Sequence, residues 1–270
     1  MLAASPGPDV LDVGIGTGIS ARPFQAAGCR VLGVEVDARM AEFAREHGCT
    51  VEVAKFEEWD GGDRTFDVIV AGMTWHWIDP VAGARKAAAL LRPRGLLAAF
   101  WNVGQPPPRL AGAFSQVYRR VLPDAPFAWS PRNPLDAYER ILTSTLEGIR
   151  DAGAFGEPRR WRFDWERSYT ADEWMDLVPT FGGHSDFPPG KLRDLQTGVG
   201  AAVDAVGGAF TMRYAAVALT AHREPGRAGD ARRRATCYAP ASTPRRLPPS
   251  RPDVSSSRGT RSGARGRSSR

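Results

Sequence analysis

The sequence has 270 residues, of which 42% are hydrophobic and 24% charged, which suits one globular domain and excludes a small scaffold held by disulfides. Its three cysteines show neither CxxC nor Cys/His ligand spacing, so we predict no metal site, and free thiols favour a cytoplasmic location. No apolar run reaches the roughly 18 residues of a membrane helix, so we expect no membrane span. The net charge of +6 raises the question of a nucleic-acid partner.

Apolar runs that fit strands alternate with helix-like stretches over the first hundred residues. Runs such as DVLDV and FDVIVAG are apolar almost throughout, which is typical of parallel strands buried on both faces of a sheet. Asp37 can cap the N-terminus of a helix whose apolar stripe would be Met40, Phe43 and Ala44, and Gly48 stands where a left-handed C-cap belongs. We therefore predict an α/β fold with a parallel sheet.

A glycine-rich loop follows the first predicted strand. Residues 9–18 read DVLDVGIGTG, and such glycines let the backbone pass close to a ligand at the start of a helix. A dinucleotide fingerprint requires GxGxxG, but Ile19 takes the place of its third glycine and the spacing is GxGxG. The loop therefore predicts a nucleotide-type site and argues against NAD.

Two acidic residues indicate what this site would bind. Asp12, just before the loop, would repel a pyrophosphate and attract an ammonium group. Glu35 ends the second strand, where an acid can accept both hydroxyls of a ribose. The predicted ligand has an adenosine-like ribose and a positive charge, and it carries no phosphate.

After Asn102 the strand–helix alternation stops. Helical patterns at about 109–122 and 134–152 predict a partly helical insertion after the fifth strand. Two further strand candidates, PRRWRFDWERSYT and AFTMRYAAVALTA, are separated by a helical ADEWMDLV and by the stretch from Phe187 to Val206. Five aromatic residues of this region are interpreted as core residues from their spacing: Trp161, Phe163, Trp165, Tyr169 and Trp174.

The positive charge is concentrated at the end of the chain. Arg223–Arg270 contains 13 Arg and three acidic residues, whereas residues 1–222 hold 23 basic and 27 acidic residues, a net charge of −4. The end is rich in Arg, Ser, Pro, Ala and Gly and cannot bury enough apolar surface to fold, so we predict a domain over 1–223 and a disordered tail over 224–270. The tail could contact nucleic-acid phosphates, but its composition also fits a frameshifted end in a GC-rich gene, and we favour the latter interpretation.

Four segments in order, DVLDVGIGTG, GVEVDARM, FDVIVAGMTWHWIDP and LLRPRGLLAAFWN, resemble the class I S-adenosylmethionine-dependent methyltransferases. The resemblance runs from about residue 8 to 223, and WHWIDP, AAFWN, ERSYTADEWMDLV and GGAFTMRY are similar to the small-molecule "type 11" branch. It implies a Rossmann-like, doubly wound sheet of five parallel strands and two late ones, the last antiparallel. The implied cofactor is S-adenosyl-L-methionine and the implied substrate is a small molecule. Members of the branch usually carry an N-terminal lid helix, which we expect to be missing here.

The resemblance also implies which residues contact the cofactor. The acid and glycines of the first loop match the segment around the methionine moiety. The acid ending the second strand matches the ribose contact, and the next residue would pack on adenine. Residues after the third strand fall at the adenine edge, with Lys55 where an Asp is frequent, and the end of the fourth strand lies near the methionine end. The predicted cofactor-binding residues are Asp12, Gly14, Ile15, Gly16, Gly18, Glu35, Val36, Phe56, Glu57, Gly72 and Met73.

Methyl transfer from a sulfonium needs chiefly a well-aligned nucleophile. If that nucleophile must lose a proton, His76, just past the fourth strand, is the candidate catalytic base; otherwise it would orient the loop or hydrogen-bond the substrate. Trp75 and Trp77 would face the sulfonium, line an apolar pocket or serve only as packing. Asn102 would orient the substrate or cap a loop.

Three interpretations remain open. The leading one is a methyltransferase that acts on an unidentified small molecule by in-line displacement. The second is a degenerate, non-catalytic protein that still binds the cofactor, which the missing lid and the unusual tail favour. The third is an NAD(P)-dependent oxidoreductase, against which the GxGxG spacing and Asp12 speak.

Overall fold

The computed structural model describes residues 8–123, 134–184 and 187–225, all within one compact unit spanning residues 1–227. Seven strands of the described residues form one sheet, in the spatial order third, second, first, fourth, fifth, seventh, sixth. They are β1 (Asp9–Val13), β2 (Arg30–Glu35), β3 (Thr50–Val53), β4 (Phe66–Gly72), β5 (Leu91–Gln105), β6 (Arg159–Thr170) and β7 (Ala209–His222). The first five run parallel, and β7 is antiparallel to both β5 and β6. This confirms the predicted doubly wound, mostly parallel sheet.

Helices cover both faces of the sheet. The described helices are α1 (Ala21–Ala26), α2 (Ala38–Glu46), α3 (Pro80–Leu90), α4 (Pro108–Val121), α5 (Pro134–Asp151), α6 (Ala171–Leu177) and α7 (Pro189–Asp204). On one face, α3 and α5 bury a large core against β4, β5 and β7. On the other face, Phe24 of α1 packs against Val10 and Val70, and Ala41 and Ala44 of α2 pack near the glycine loop.

A second apolar cluster joins α4, α6 and α7 to the start of β7. Phe114, Trp174 and Val199 are among its buried members. The helical insertion predicted after β5 is confirmed by α4 and α5. No helix was predicted for 189–204, because its glycines weaken the helical pattern. One of them, Gly198, has a packing role, because a Cβ there would lie 2.6 Å from Val117 Cγ1. This glycine therefore allows α4 and α7 to approach closely.

The predicted apolar stripe of α2 is partly wrong. Met40 and Phe43 are exposed, and the buried residues are Ala41 and Ala44. The two alanines pack in the cluster beneath the helix, while Phe43 stacks on His47 at 4.1 Å between ring centroids. The predicted cap is confirmed, because the Asp37 carboxylate accepts a hydrogen bond from the Arg39 backbone N–H.

The assignment of five aromatic residues to the core is wrong for three of them. Tyr169 and Trp174 are buried, but Trp161, Phe163 and Trp165 are 39%, 63% and 44% exposed. All three lie on β6, the outermost strand of the sheet. Their alternate spacing places them on one face, and a strand at the edge has a neighbour on one side only.

Several predictions fall on residues outside the described ranges. These include the N-terminal lid, which would precede residue 8, and the tail from residue 226 onward. Glu224, the first residue assigned to the tail, still donates its backbone N–H to the Ala154 carbonyl. In the part of the chain that the structure describes, no helix is both long and apolar enough to cross a membrane.

Candidate functional site

The glycine loop lies between β1 and α1, at the carboxyl edge of the parallel strands. Gly14, Gly16 and Gly18 have φ values of +68°, +57° and +83°, a region that other residues rarely adopt. A Cβ at Gly14 would lie 2.2 Å from Thr74 Cγ2, and one at Gly18 would lie 2.7 Å from Cys49 Sγ. A Cβ at Gly16 would meet nothing within 4 Å. Packing therefore requires Gly14 and Gly18, whereas Gly16 faces open space that a ligand can enter.

The end of β4 is tied to this loop by Thr74, a residue that the sequence analysis missed. Its hydroxyl lies 3.3 Å from the Gly14 carbonyl oxygen and 3.1 Å from that of Gly72. Met73, between them, has a φ of +56°, which is uncommon for a residue with a side chain, and donates its N–H to the Phe100 carbonyl. The two predicted residues Gly72 and Met73 thus lie beside the first glycine. No signal in the sequence marks Thr74, since its role depends on a contact across 60 residues.

Asp12 places a carboxylate in the interior at the base of the loop. Its Oδ2 accepts a hydrogen bond from Ser20 Oγ at 2.6 Å, while its buried Oδ1 has no partner among the described residues. Burial raises the pKa of Asp12 to about 6; the Ser20 hydrogen bond opposes this shift, and the charge of Glu35 adds to it. A buried oxygen without a donor is costly, so the site fits a ligand that supplies a cationic N–H group.

Glu35 supports the loop as well as facing the site. Its Oε2 accepts from the Gly16 N–H at 2.8 Å, and its Oε1 accepts from the Asp37 N–H at 2.9 Å. Each carboxylate oxygen can accept a second hydrogen bond, which leaves capacity for two ligand hydroxyls. Val36, the next residue, is 70% exposed and offers an apolar surface on which a flat ring can lie.

Three other predicted cofactor-binding residues, Ile15, Phe56 and Glu57, have side chains that are buried or that contact other parts of the chain. Ile15 and Phe56 are buried, and the Phe56 ring packs near Trp75 with 6.2 Å between centroids, so both side chains belong to the core. Glu57 accepts a hydrogen bond from the Asp79 N–H at 3.4 Å, which holds it near the turn after β4. If Ile15 and Phe56 contact a ligand, they do so through their backbone atoms.

His76 lies in a single 3-10 turn, Trp75–Trp77, that follows β4. The indole Nε1 of Trp101 donates a hydrogen bond to His76 Nδ1 at 3.2 Å, and burial lowers the pKa of His76. Because an indole N–H can only donate, Nδ1 is the accepting nitrogen and the proton of the neutral ring sits on Nε2. His76 can therefore donate a hydrogen bond from Nε2, whereas accepting a proton at Nδ1 would displace Trp101.

The neighbouring candidates divide between packing and exposure. Trp75 is a core residue, whereas Trp77 is exposed and its ring lies 4.9 Å from that of His76. The Asn102 side-chain oxygen accepts a hydrogen bond from Trp165 Nε1 at 3.0 Å, which links the end of β5 to the edge strand. This contact differs from both roles predicted for Asn102, which were to orient the substrate and to cap a loop.

The donors and acceptors of the site fit S-adenosylmethionine. Asp12 can accept from an ammonium group, Glu35 can accept from ribose hydroxyls, and Gly16 leaves room for the ligand to approach. A pyrophosphate fits poorly, because its charge would meet the Asp12 carboxylate.

Residues 10–95 match a family model described as "Methyltransferase domain". An uncharacterized methyltransferase of Mycobacterium bovis is 30% identical over 95 residues, which cover 34% of this chain and 39% of that protein. A demethylmenaquinone methyltransferase of Tropheryma whipplei is 31% identical over 131 residues, which cover 46% of this chain and 53% of that protein. The chain thus matches about half or less of the length of these relatives.

The fold has a counterpart among solved structures. The structure of a proposed type II methyltransferase from Anaeromyxobacter dehalogenans superposes with a TM-score of 0.55 and covers 83% of this chain and 93% of that one. The two sequences are 19% identical, so this similarity concerns the fold alone.

Proposed function

The chain belongs to the class I S-adenosylmethionine-dependent methyltransferase superfamily, and from this premise we propose that it transfers a methyl group from S-adenosyl-L-methionine to a small-molecule acceptor. The observation that carries the proposal is the buried Asp12 Oδ1, which lacks a donor among the described residues and lies next to a glycine loop open at Gly16. The small-molecule acceptor rests on the relative from Tropheryma whipplei, whose name specifies demethylmenaquinone.

Each residue of the site has a defined task in this proposal. Asp12 accepts hydrogen bonds from the ammonium group of the methionine moiety, and Glu35 accepts from the ribose hydroxyls while it holds the loop through the Gly16 N–H. Val36 packs on the adenine ring. When bound, S-adenosylmethionine supplies a methyl group already activated by its sulfonium, so in-line transfer needs chiefly a well-placed acceptor.

We assign His76 to the acceptor side of the site as a hydrogen-bond donor. Its Nδ1 lone pair is engaged by Trp101, which leaves the Nε2 proton to orient an oxygen or an aromatic ring of the acceptor. The lowered pKa keeps the ring neutral near pH 7, so it donates without adding positive charge close to a sulfonium. Orientation of the acceptor is therefore favoured over proton removal.

The test of the cofactor assignment is a calorimetric titration with S-adenosylhomocysteine, with NADH as the comparison ligand. We expect micromolar binding of S-adenosylhomocysteine, a loss of at least tenfold in Asp12→Asn, and no binding of NADH. Asp63→Asn is the matched control, because this aspartate is exposed in a distant loop. Equal affinity in Asp12→Asn and wild type would refute the role of Asp12.

Transfer itself is tested by following S-adenosylhomocysteine release with a panel of phenols, quinols, amines and thiols as acceptors. Turnover with one class identifies the nucleophile atom. Tight cofactor binding without turnover on any acceptor would instead support the degenerate, non-catalytic alternative.

The compartment is proposed on chemical grounds alone. Cys29 and Cys49 are free thiols, which suits the reducing cytoplasm. We do not propose a nucleic-acid partner, because that interpretation depends on the basic tail and not on the site.

A further inference from the structure

One edge of the outer strand β6 is not paired with any strand that the structure describes. The strand is hydrogen-bonded to β7 on one side, and no other described strand pairs with it. The first ten of its 12 residues are exposed. A long exposed edge presents a row of backbone N–H and C=O groups that can pair with another strand.

The side chains of β6 follow a pattern that is complementary to itself. Residues 160–166 read Arg-Trp-Arg-Phe-Asp-Trp-Glu, so aromatic residues occupy one face of the strand and charged residues occupy the other. On the charged face, two arginines precede Phe163 and two acids follow it. Reversing the strand about Phe163 therefore exchanges basic positions for acidic ones and aromatic positions for aromatic ones.

We propose that β6 pairs antiparallel with β6 of a second copy of this chain about a two-fold axis at Phe163, which joins the two sheets into one. In this register every central pair is favourable. The pairs are Arg160 with Glu166, Arg162 with Asp164, Trp161 with Trp165, and Phe163 with Phe163 of the second copy.

Other registers are less favourable. Centring the pairing on Arg162 or on Asp164 places a charge directly opposite its own copy, which is destabilising. A register offset by one residue brings the aromatic face of one copy beside the charges of the other. The Phe163 register leaves one like-charged pair at each end, Arg159 opposite Arg167, and the Arg167 charge is offset by Glu173 at 3.6 Å in the same chain.

The aromatic face is already held in place by its own chain. Trp161 Nε1 donates to Thr220 Oγ1 at 2.9 Å, and Trp165 Nε1 donates to Asn102 Oδ1 at 3.0 Å. The Trp165 ring also stacks on Tyr214, with 4.3 Å between centroids. Fixed side chains lose little conformational freedom on association, which favours binding.

The arginines of the charged face already have partners within their own chain, which they would exchange or share in the dimer. Arg162 is paired with Asp164 of the same strand at 2.8 Å, and both groups are about half exposed. Arg160 is paired with Glu139 of α5 at 2.6 Å. In the dimer Arg162 exchanges its own Asp164 for that of the second copy, while Arg160 is shared between Glu139 and Glu166 of the second copy.

The test is the oligomeric state of the full chain, measured by sedimentation equilibrium across a range of protein concentrations. Wild type is expected to be dimeric, and Asp164→Arg is expected to raise the dimer dissociation constant at least tenfold, because Arg162 then faces an arginine. The double variant Arg162→Asp with Asp164→Arg restores both pairs in a symmetric dimer and is expected to recover the wild-type constant. Asp63→Arg makes the same charge change in an exposed loop and is expected to have no effect.

A monomeric wild type at high micromolar concentration would overturn the proposal, and so would a dimer that Asp164→Arg leaves intact. Circular dichroism of each variant shows whether it is folded. If Asp164→Arg fails to fold, the double variant and the control still decide, because the pairing requires the double variant to dimerise.

The register is tested separately by crosslinking. Position 163 alone is expected to lie on the two-fold axis, so Phe163→Cys in a Cys237→Ser background should crosslink to itself with a short bifunctional maleimide. Glu42→Cys in the same background, on the exposed side of α2, should not. A wild-type dimer in which position 163 fails to crosslink would contradict this register.

Discussion

The ionised carboxylate of Asp12 lowers the stability of the folded chain, and the same carboxylate is needed for ligand binding in our proposal. This carboxylate is shielded from water, its Oδ1 lacks a donor among the described residues, and its pKa is raised to about 6 from an ordinary value of 3.8. A shift of this size corresponds to about 3 kcal/mol of stability lost when the group is ionised in the folded state. The same ionised group is what attracts a cationic ligand, so stability and binding oppose each other at this residue.

We therefore expect Asp12→Asn to stabilise the protein while it weakens S-adenosylhomocysteine binding at least tenfold. Because the folded state binds this proton more tightly than the unfolded state, the wild type gains stability as pH falls from about 6 towards 3.8. The gain in Asp12→Asn should reach up to about 3 kcal/mol at pH 8 and shrink towards zero near pH 4. Urea unfolding at both pH values measures it, and a variant less stable than wild type at pH 8 would contradict the argument.

The pH dependence of binding follows from the same carboxylate. A cationic ligand binds the ionised form, so the affinity for S-adenosylhomocysteine should be constant above about pH 6 and fall by up to tenfold per unit below it. Calorimetry between pH 4.5 and 8 tests this expectation, and Asp12→Asn should show a weak, flat profile. An affinity that rises on acidification would exclude Asp12 as the cation-binding group.

At the scale of elements, the sequence predicted the strands well and the helices less well. The parallel strands are continuous apolar runs, so their pattern survives without tertiary information. By contrast, α7 carries glycines that a helix seldom contains, and the reason for Gly198 lies in the neighbouring α4. The contacts of Thr74 with Gly14 and of Ser20 with Asp12 also join separate elements, so no local pattern indicates them.

Two glycines of the loop have different roles: Gly14 is required for packing, whereas Gly16 leaves space for the ligand. Gly16→Ala should cost about 1–2 kcal/mol of stability for the left-handed backbone. It should also weaken S-adenosylhomocysteine binding at least tenfold, because its methyl group enters the open space that the ligand would occupy. Gly14→Ala should cost about 1–3 kcal/mol more, because its methyl group overlaps Thr74.

Gly62→Ala is the matched control for backbone strain. Gly62 has a φ of +56°, close to that of Gly16, and no atom near the Cβ position, and it lies in the turn between β3 and β4. Its variant should lose stability and keep wild-type affinity, whereas a loss of affinity equal to that of Gly16→Ala would mean that strain alone explains both results.

At the scale of the whole molecule, the order of strands across the sheet decides which side chains are exposed. Composition and periodicity gave strand candidates, but the seven-stranded arrangement followed from the family resemblance. The exposure of Trp161, Phe163 and Trp165 was missed because it is set by β7, which pairs between β5 and β6 and leaves β6 outermost. Which strand occupies the edge is a long-range property that the spacing of side chains does not encode.

The proposed dimer makes thermal stability depend on concentration. An association that requires folded β6 stabilises the native state by mass action, so the Tm of wild type should rise as protein concentration increases. The Tm of Asp164→Arg should rise less over the same range, and the double variant with Arg162→Asp should recover the wild-type trend. A wild-type Tm that is independent of concentration would argue against a dimer of functional strength.

The position of β7 also bears on how the protein is made. During synthesis the chain leaves the ribosome from its N-terminus, and β1 to β5 can assemble once all five are made, because each of them has at least one neighbour within this group. The exception is β6, which emerges with no partner until Ala209–His222 follows. A nascent chain that stops before residue 209 therefore lacks two strands of the sheet and not one, and it exposes three aromatic side chains to any quality-control factor that recognises apolar surface.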